Sequence, residues 1–161
     1  MVKLTYHNEQ LYVPEYIDEP DMDALKTAYM LSDWMNEKDM DEIIENYGIG
    51  PGDVHMRVEI ADWLLYSYLR LASIEKVPYI KNIEDLWIRI KYGIRNELLE
   101  LVQLPNVGRV RARRLYSMGY RTLSDIANSD VKKISSIPGF GEKLAAFIVE
   151  EARKILKTFK Y

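Results

Sequence analysis

A nine-residue pattern occurs twice, 33 positions apart, and narrowly limits how the last third of this 161-residue chain can fold. The copies are Leu104-Pro105-Asn106-Val107-Gly108-Arg109-Val110-Arg111-Ala112 and Ile137-Pro138-Gly139-Phe140-Gly141-Glu142-Lys143-Leu144-Ala145, with Pro, apolar, Gly and Ala in register. Proline stops a preceding helix, and Asn106 or Gly139 suits the left-handed backbone of a tight turn. Gly108 and Gly141 lack a Cβ, so an anion can approach the backbone closely. The residues that follow open a helix whose free N–H groups point outward, a natural anion site. Two such units in register predict a tandem helix-hairpin-helix fold.

The rest of the chain reads as helical. Leu25, Ala28, Tyr29, Leu31, Trp34 and Met35 predict a helix over 22–36 capped by Asp21. Asp39 with Glu42 predicts a capping box for a short helix to Tyr47, broken by Gly48-Ile49-Gly50-Pro51-Gly52. Asp53 is expected to cap a long helix over 54–76, and Asn82 with Asp85 another that stops near Gly93. A further helix is expected over Asn96–Val102, and Thr122 with Asp125 makes a second capping box. Before residue 21 the expectation is an irregular lead, in which Lys3–Tyr6 and Leu11–Pro14 can pair across His7–Gln10. The body is therefore all-α.

Charge is divided along the chain. The net is −3, but residues 1–62 carry 4 Lys/Arg against 15 Asp/Glu, and residues 63–161 carry 18 against 10. Residues 103–121 hold five arginines and no acid. Helical spacing puts Arg109 and Arg113 on one face and Arg111 and Arg114 on another, with Arg121 beside them. Phosphate contacts from such a cluster give salt-dependent, sequence-tolerant binding. The second copy offers Lys143, with Lys132 and Lys133 near it, and reads as mainly structural.

On the long helix Met56, Trp63 and Arg70 are seven apart and share a stripe, flanked by Ile60 and Ser67. Val54, Val58, Ala61, Leu65, Tyr68 and Ala72 form the expected core face. Spacing alone allows Trp63 either to pack in the bundle or to stack on a base, and favours packing; Arg70 suits a phosphate.

From Leu25 to Ile155 the chain resembles the C-terminal part of archaeal superfamily 2 DNA-repair helicases of the Holliday-junction-migration type. The resemblance rests on Lys26-Thr27-Ala28, Asp33-Trp34-Met35-Asn36-Glu37-Lys38-Asp39, Tyr47-Gly48-Ile49-Gly50-Pro51-Gly52-Asp53, Ala61-Asp62-Trp63-Leu64 and Arg89-Ile90-Lys91-Tyr92-Gly93. It continues through Glu97-Leu98-Leu99-Glu100-Leu101 and, most specifically, Gly108-Arg109-Val110-Arg111-Ala112-Arg113-Arg114-Leu115-Tyr116. It implies a ratchet-like helical domain over 21–94 and a tandem helix-hairpin-helix domain over 95–161, after the lead of 1–20. It also gives Trp63 a base-stacking role and puts an Arg-x-Arg-Ala-Arg grip for single-stranded DNA on Arg109, Arg111 and Arg113. Where the family commonly has consecutive arginines after Gly-Asp, this chain has His55 and Met56.

The chain lacks a Gly-x-x-x-x-Gly-Lys-Ser/Thr loop and an Asp-Glu-x-His box, so it cannot hydrolyse ATP in the manner of that family's motor. It reads as a stand-alone paralogue or a piece of a longer gene. There is no cysteine, His7 and His55 are the only imidazoles, and no run is apolar enough to span a bilayer. Asp18, Glu19, Asp21 and Asp23 read as a solvated cluster at a helix start rather than a metal site. The expectation is a cytoplasmic, non-enzymatic DNA-binding protein without catalytic residues, metal or cofactor. Single-stranded or branched DNA is its partner, with a helicase motor or another repair protein as a further one. Its binding residues are Gly108, Arg109, Arg111, Arg113, Arg114, Trp63, Arg70, Gly139, Gly141 and Lys143. The alternatives are a protein-interaction scaffold and an accessory subunit of a helicase or RNA-processing complex.

Overall fold

The computed structural model describes the backbone of residues 2–6, 9–13, 19–75 and 77–158, and side chains from Met22 onward. The chain starts with an antiparallel pair, β1 (Val2–Tyr6) and β2 (Glu9–Val13), registered Val2↔Val13 to Tyr6↔Glu9. The irregular lead is thus largely a hairpin, paired two residues tighter than expected; its His7 and Asn8, and Asp18, lie outside the described residues. The helices are α1 (Glu19–Met35), α2 (Met40–Tyr47), α3 (Pro51–Glu75), α4 (Ile80–Tyr92), α5 (Arg109–Ser117), α6 (Leu123–Ala127), α7 (Val131–Ser135) and α8 (Glu142–Thr158). Among the described residues no helix is long and apolar enough to cross a membrane.

Helix starts differ from expectation where a side chain finds a better partner. α1 begins two residues before Asp21. Asp39 does precede α2 in an extended conformation, but the capping box is absent because Glu42 pairs with Lys38 at 3.2 Å. In α4 the expected opener is displaced to Tyr79, and Asp85 instead pairs with Lys81 at 2.8 Å. α3 starts at Pro51, where a missing N–H costs nothing. Asp53 then sits inside its first turn, reaching back to the Gly50 N–H at 2.9 Å. The Thr122–Asp125 box forms in full, and the backbone N–H groups of Arg121 and Thr122 hold the Asp125 carboxyl below its usual pKa.

Residues 96–103 do not make the expected α-helix. They wind into two 3₁₀ turns, Asn96–Leu98 and Leu101–Gln103. Leu98, Leu101 and Leu104 are spaced by three and all buried, and three residues per turn is the winding that lines them on one side.

Two apolar clusters form the interior. One gathers Met30, Ile43, Tyr47, Val54, Val58 and Ile90 from α1 to α4. The other gathers Leu98, Leu101, Leu115, Ile126, Ile134 and Ile148 with their neighbours, from Ile94 to Ala152. Burying a leucine such as Leu115 contributes about 1.5–3 kcal/mol. In the first cluster Asp33 is buried, where it accepts from the Tyr47 hydroxyl at 2.9 Å and pairs with Lys38 at 3.2 Å. Tyr68, expected in the core, lies at the margin of the buried stripe of α3 and is about half exposed.

The hairpins superimpose in their bonding. Val107 donates to Leu104 O at 3.1 Å and Phe140 to Ile137 O at 3.0 Å; φ is 63° at Asn106 and 85° at Gly139. These are turns with proline second and a left-handed residue third. Asn106→Ala is therefore expected to cost about 1 kcal/mol and Asn106→Gly almost nothing, as measured by the urea midpoint at constant slope.

Candidate nucleic-acid interface

An open groove of about 380 Å³ lies where the two hairpins meet, lined by Gly108, Arg109, Val110, Arg111, Arg114 and Gly139. The start of α5 forms one wall and the second turn the other. A Cβ on Gly108 or Gly141 would meet nothing within 4 Å, so the chain's own packing does not demand glycine there. Gly108 is also extended, a conformation open to any residue. The space those glycines leave is available to a group from outside. Gly139 differs: a Cβ there would fall 2.5 Å from Arg114 Nη1.

The arginine faces divide as the helical spacing predicts, but each meets protein. Arg111 donates to Asn106 O at 2.8 Å and Gly139 O at 3.2 Å, and Arg114 donates to Pro138 O at 2.8 Å. These two buckle the hairpins together and keep further N–H groups toward the groove, since a guanidinium carries five. Arg109 and Arg113 turn to the first bundle. Arg109 donates to Lys38 O at 2.7 Å and lies 5.1 Å over the Trp34 ring. Burial pushes its pKa down, and Glu37 and Asp39 offset this only in part. Arg113 binds Glu37 with two bonds of 2.7 Å and Glu97 with one of 2.8 Å, and its hydrogen bond to Glu37 drives its pKa up. The absence of acids from 103–121 thus does not leave Arg113 unpaired, because its carboxylates come from outside that window.

The second hairpin contributes Gly141 and Lys143, both exposed at the start of α8. On α3, Trp63 is 65% exposed, and Arg70 is exposed with it. Packing in the bundle, which spacing alone favours for Trp63, is not what the structure has. Met56, Ile60, Leu64, Leu71 and Ile74 are exposed on the same side, opposite buried Val54, Val58 and Ala72. This helix is apolar on two faces, and one of them is left uncovered by the described residues.

Sequence reasoning missed Glu37, Glu97 and Trp34, which position the arginines. The signal for Glu37 is its φ of 63° in the turn between α1 and α2, a conformation invisible in the sequence. It missed Val110, an exposed apolar residue at the groove. It also missed Tyr66, three residues after Trp63 on the same helix, which the helical period alone could have flagged.

Residues 98–154 match the SAM-like helix-hairpin-helix tandem. The ATP-dependent DNA helicase Hel308 of Thermoplasma acidophilum is 47% identical over 135 residues, covering 84% of this chain and 20% of that protein. Its counterpart in Pyrobaculum calidifontis is 46% identical over 141 residues, covering 86% and 20%, and that of Thermococcus kodakarensis 41% over 143, covering 84% and 13%. The chain therefore spans a fifth or less of the length of these curated relatives. Residues 2–93, more than half of the sequence, match the model described as archaeal helicase, domain 4, and the chain belongs to that family.

Proposed function

We propose that this chain is a non-catalytic DNA-gripping module that prefers single-stranded or branched DNA. The observation that carries the reading is the open groove at the start of α5, where Gly108 leaves the backbone uncovered beside three arginines. Arg109 is the strongest point of that groove. Its guanidinium is partly buried and, among the described residues, has no carboxylate within ion-pair distance, so an arriving phosphate would offset a desolvation that Glu37 and Asp39 compensate only in part. Arg111, Arg114, Gly139, Gly141 and Lys143 extend the contact along the backbone of the strand. Arg113 belongs to the clamp on Glu37 rather than to DNA. Trp63, exposed on α3 with Arg70 two turns further along the same stripe, stacks on an unpaired base, which favours single strands over duplex. The relatives' name, DNA helicase, supports DNA as the nucleic acid. The free apolar side of α3 suits a further protein surface, a helicase motor or another repair protein, while the module itself performs no ATP hydrolysis.

The test is a titration against single-stranded, forked and duplex DNA at several salt concentrations. Arg114→Ala with Lys143→Ala is expected to lower the slope of log K against log salt by about 0.7–0.9 for each lost phosphate contact. An unchanged slope would remove the groove from the interface. Trp63→Ala is expected to leave the melting temperature almost unmoved, since its side chain is mostly in solvent, and to cost about 1–3 kcal/mol of single-strand affinity. Full affinity in that variant would end the stacking role.

A further inference from the structure

Next to Trp63 the packing of α3 on α4 leaves a cleft of about 270 Å³, with Tyr66, Leu69, Arg70 and Ser73 on one side and Glu84 and Trp87 on the other. The ring centroids of Tyr66 and Trp87 are 5.6 Å apart and their planes tilted by 44°, so the two rings pack against each other and line the cleft together. Trp87 is held in place: its indole N–H donates to Asp62 Oδ1 at 2.6 Å, and Lys91 Nζ lies 5.0 Å over its ring. Tyr66 is about half exposed. Among the described residues, its hydroxyl makes no hydrogen bond. Arg70 stands apart from the other arginines: among the described residues its guanidinium makes no hydrogen bond, ion pair or ring contact.

We propose that this cleft takes a second unstacked nucleobase of the strand that crosses Trp63, stacked against the Tyr66–Trp87 pair with its phosphate on Arg70. This rests on the reading of the chain as a single-strand grip. Trp63, Tyr66, Arg70 and Ser73 follow at intervals of three, four and three, a single stripe on α3. Trp63 and Arg70 are roughly 10 Å apart along the axis at 1.5 Å per residue, room for more than one unstacked nucleotide. The pair offers a base an aromatic face braced by a fixed ring, so little ordering is required on binding. Glu84 sorts the two halves of the nucleotide. It is held toward Lys81 at 3.5 Å, and its charge keeps the phosphate out of the cleft and on Arg70, while its oxygens can accept from amino groups on a base edge.

The experiment uses the 161-residue chain and a set of single-stranded oligonucleotides, each with one abasic site, moved one position at a time. Binding is followed by fluorescence anisotropy, with circular dichroism to check that each variant is folded. Two abasic positions are expected to weaken wild-type binding by about tenfold or more. Sensitivity at one is lost in Trp63→Ala, sensitivity at the other in Tyr66→Ala, and Tyr66→Phe restores the latter. A single sensitive position, lost in Trp63→Ala while Tyr66→Ala binds as wild type, overturns the cleft proposal and leaves the grip intact. Equal weakening of every oligonucleotide by Tyr66→Ala also overturns it, because a packing defect has no position. No sensitive position, with full binding by Trp63→Ala, defeats the single-strand grip itself and the cleft with it.

Discussion

Replacing Arg113 with alanine is expected to cost about 2–4 kcal/mol and to let the first bundle melt separately from the hairpins. The value lies between the small worth of an exposed ion pair and the heavy cost of stranding a buried charge. Glu37 decides the balance. Its side chain is 12% exposed, and two of its closest bonds come from Arg113, a residue 76 positions away in the chain. Removing the guanidinium leaves a mostly buried carboxylate with, among the described residues, the Arg95 backbone N–H at 3.1 Å as its remaining hydrogen-bond donor. Scanning calorimetry is expected to turn one transition into two, or to broaden it, and Arg113→Lys should recover only part because an ammonium cannot make the paired contact.

The pH dependence of this variant has a definite sign. Burial alone would raise the Glu37 carboxyl, but the hydrogen bonds from Arg113 and Arg95 outweigh it and hold the folded-state pKa below the ordinary 4.5. Glu97 is shifted down in the same way, burial being outweighed first by its bond from Arg113. A lowered carboxyl contributes stability that is complete above the unfolded pKa and disappears as pH falls through the folded one. The wild-type chain is therefore expected to lose the clamp below about pH 4.5. The gap to Arg113→Ala should close over the same interval, since protonation neutralises the stranded Glu37. A gap that stays constant down to pH 3 would mean the loss comes from packing and not from the ionised pair.

Gly93→Ala is expected to be as damaging, at about 2–4 kcal/mol, by a different route. Gly93 ends α4 at φ 62° and is buried under the Trp34 indole. A Cβ there would fall 2.5 Å from Trp34 Cε2 and 2.8 Å from Cζ2. The ring cannot easily retreat. Its Nε1 donates to Ile90 O at 2.7 Å, and its face carries Arg109. A displaced Trp34 would therefore loosen Arg109 at the groove as well as the bundle. Denaturant midpoints and tryptophan emission report the two effects. Combining Gly93→Ala with Trp34→Phe should cost less than the sum of the single changes, because the smaller ring makes room. Strict additivity would argue that the strain is in the backbone alone.

How much of this was legible beforehand depended on range. The turns at Asn106 and Gly139, the pairing of arginine faces on α5 and the Thr122–Asp125 box follow from residues within a few positions of each other, and the helical period or a single φ decides them. The capping boxes at Asp39 and Asn82 obeyed the same rules and failed, because Lys38 and Lys81 offered their acids a stronger charge partner. The winding of 96–103 departs from an α-helix for a related reason: the pattern of buried leucines, rather than helix propensity, selects three residues per turn.

The sequence by itself determined the all-α body, the two hairpins and the concentration of arginine on the first of them. Only the tertiary structure decided that Arg113 pairs with Glu37 while Arg109 rests on the Lys38 carbonyl and the Trp34 ring beside an open groove. It alone put Trp63 in solvent and packed Tyr66 against Trp87 beside an open cleft. The physical reason is one of distance: turn and cap energies are set within one helical turn, whereas exposure and ion pairing belong to surfaces that meet only after the chain has packed.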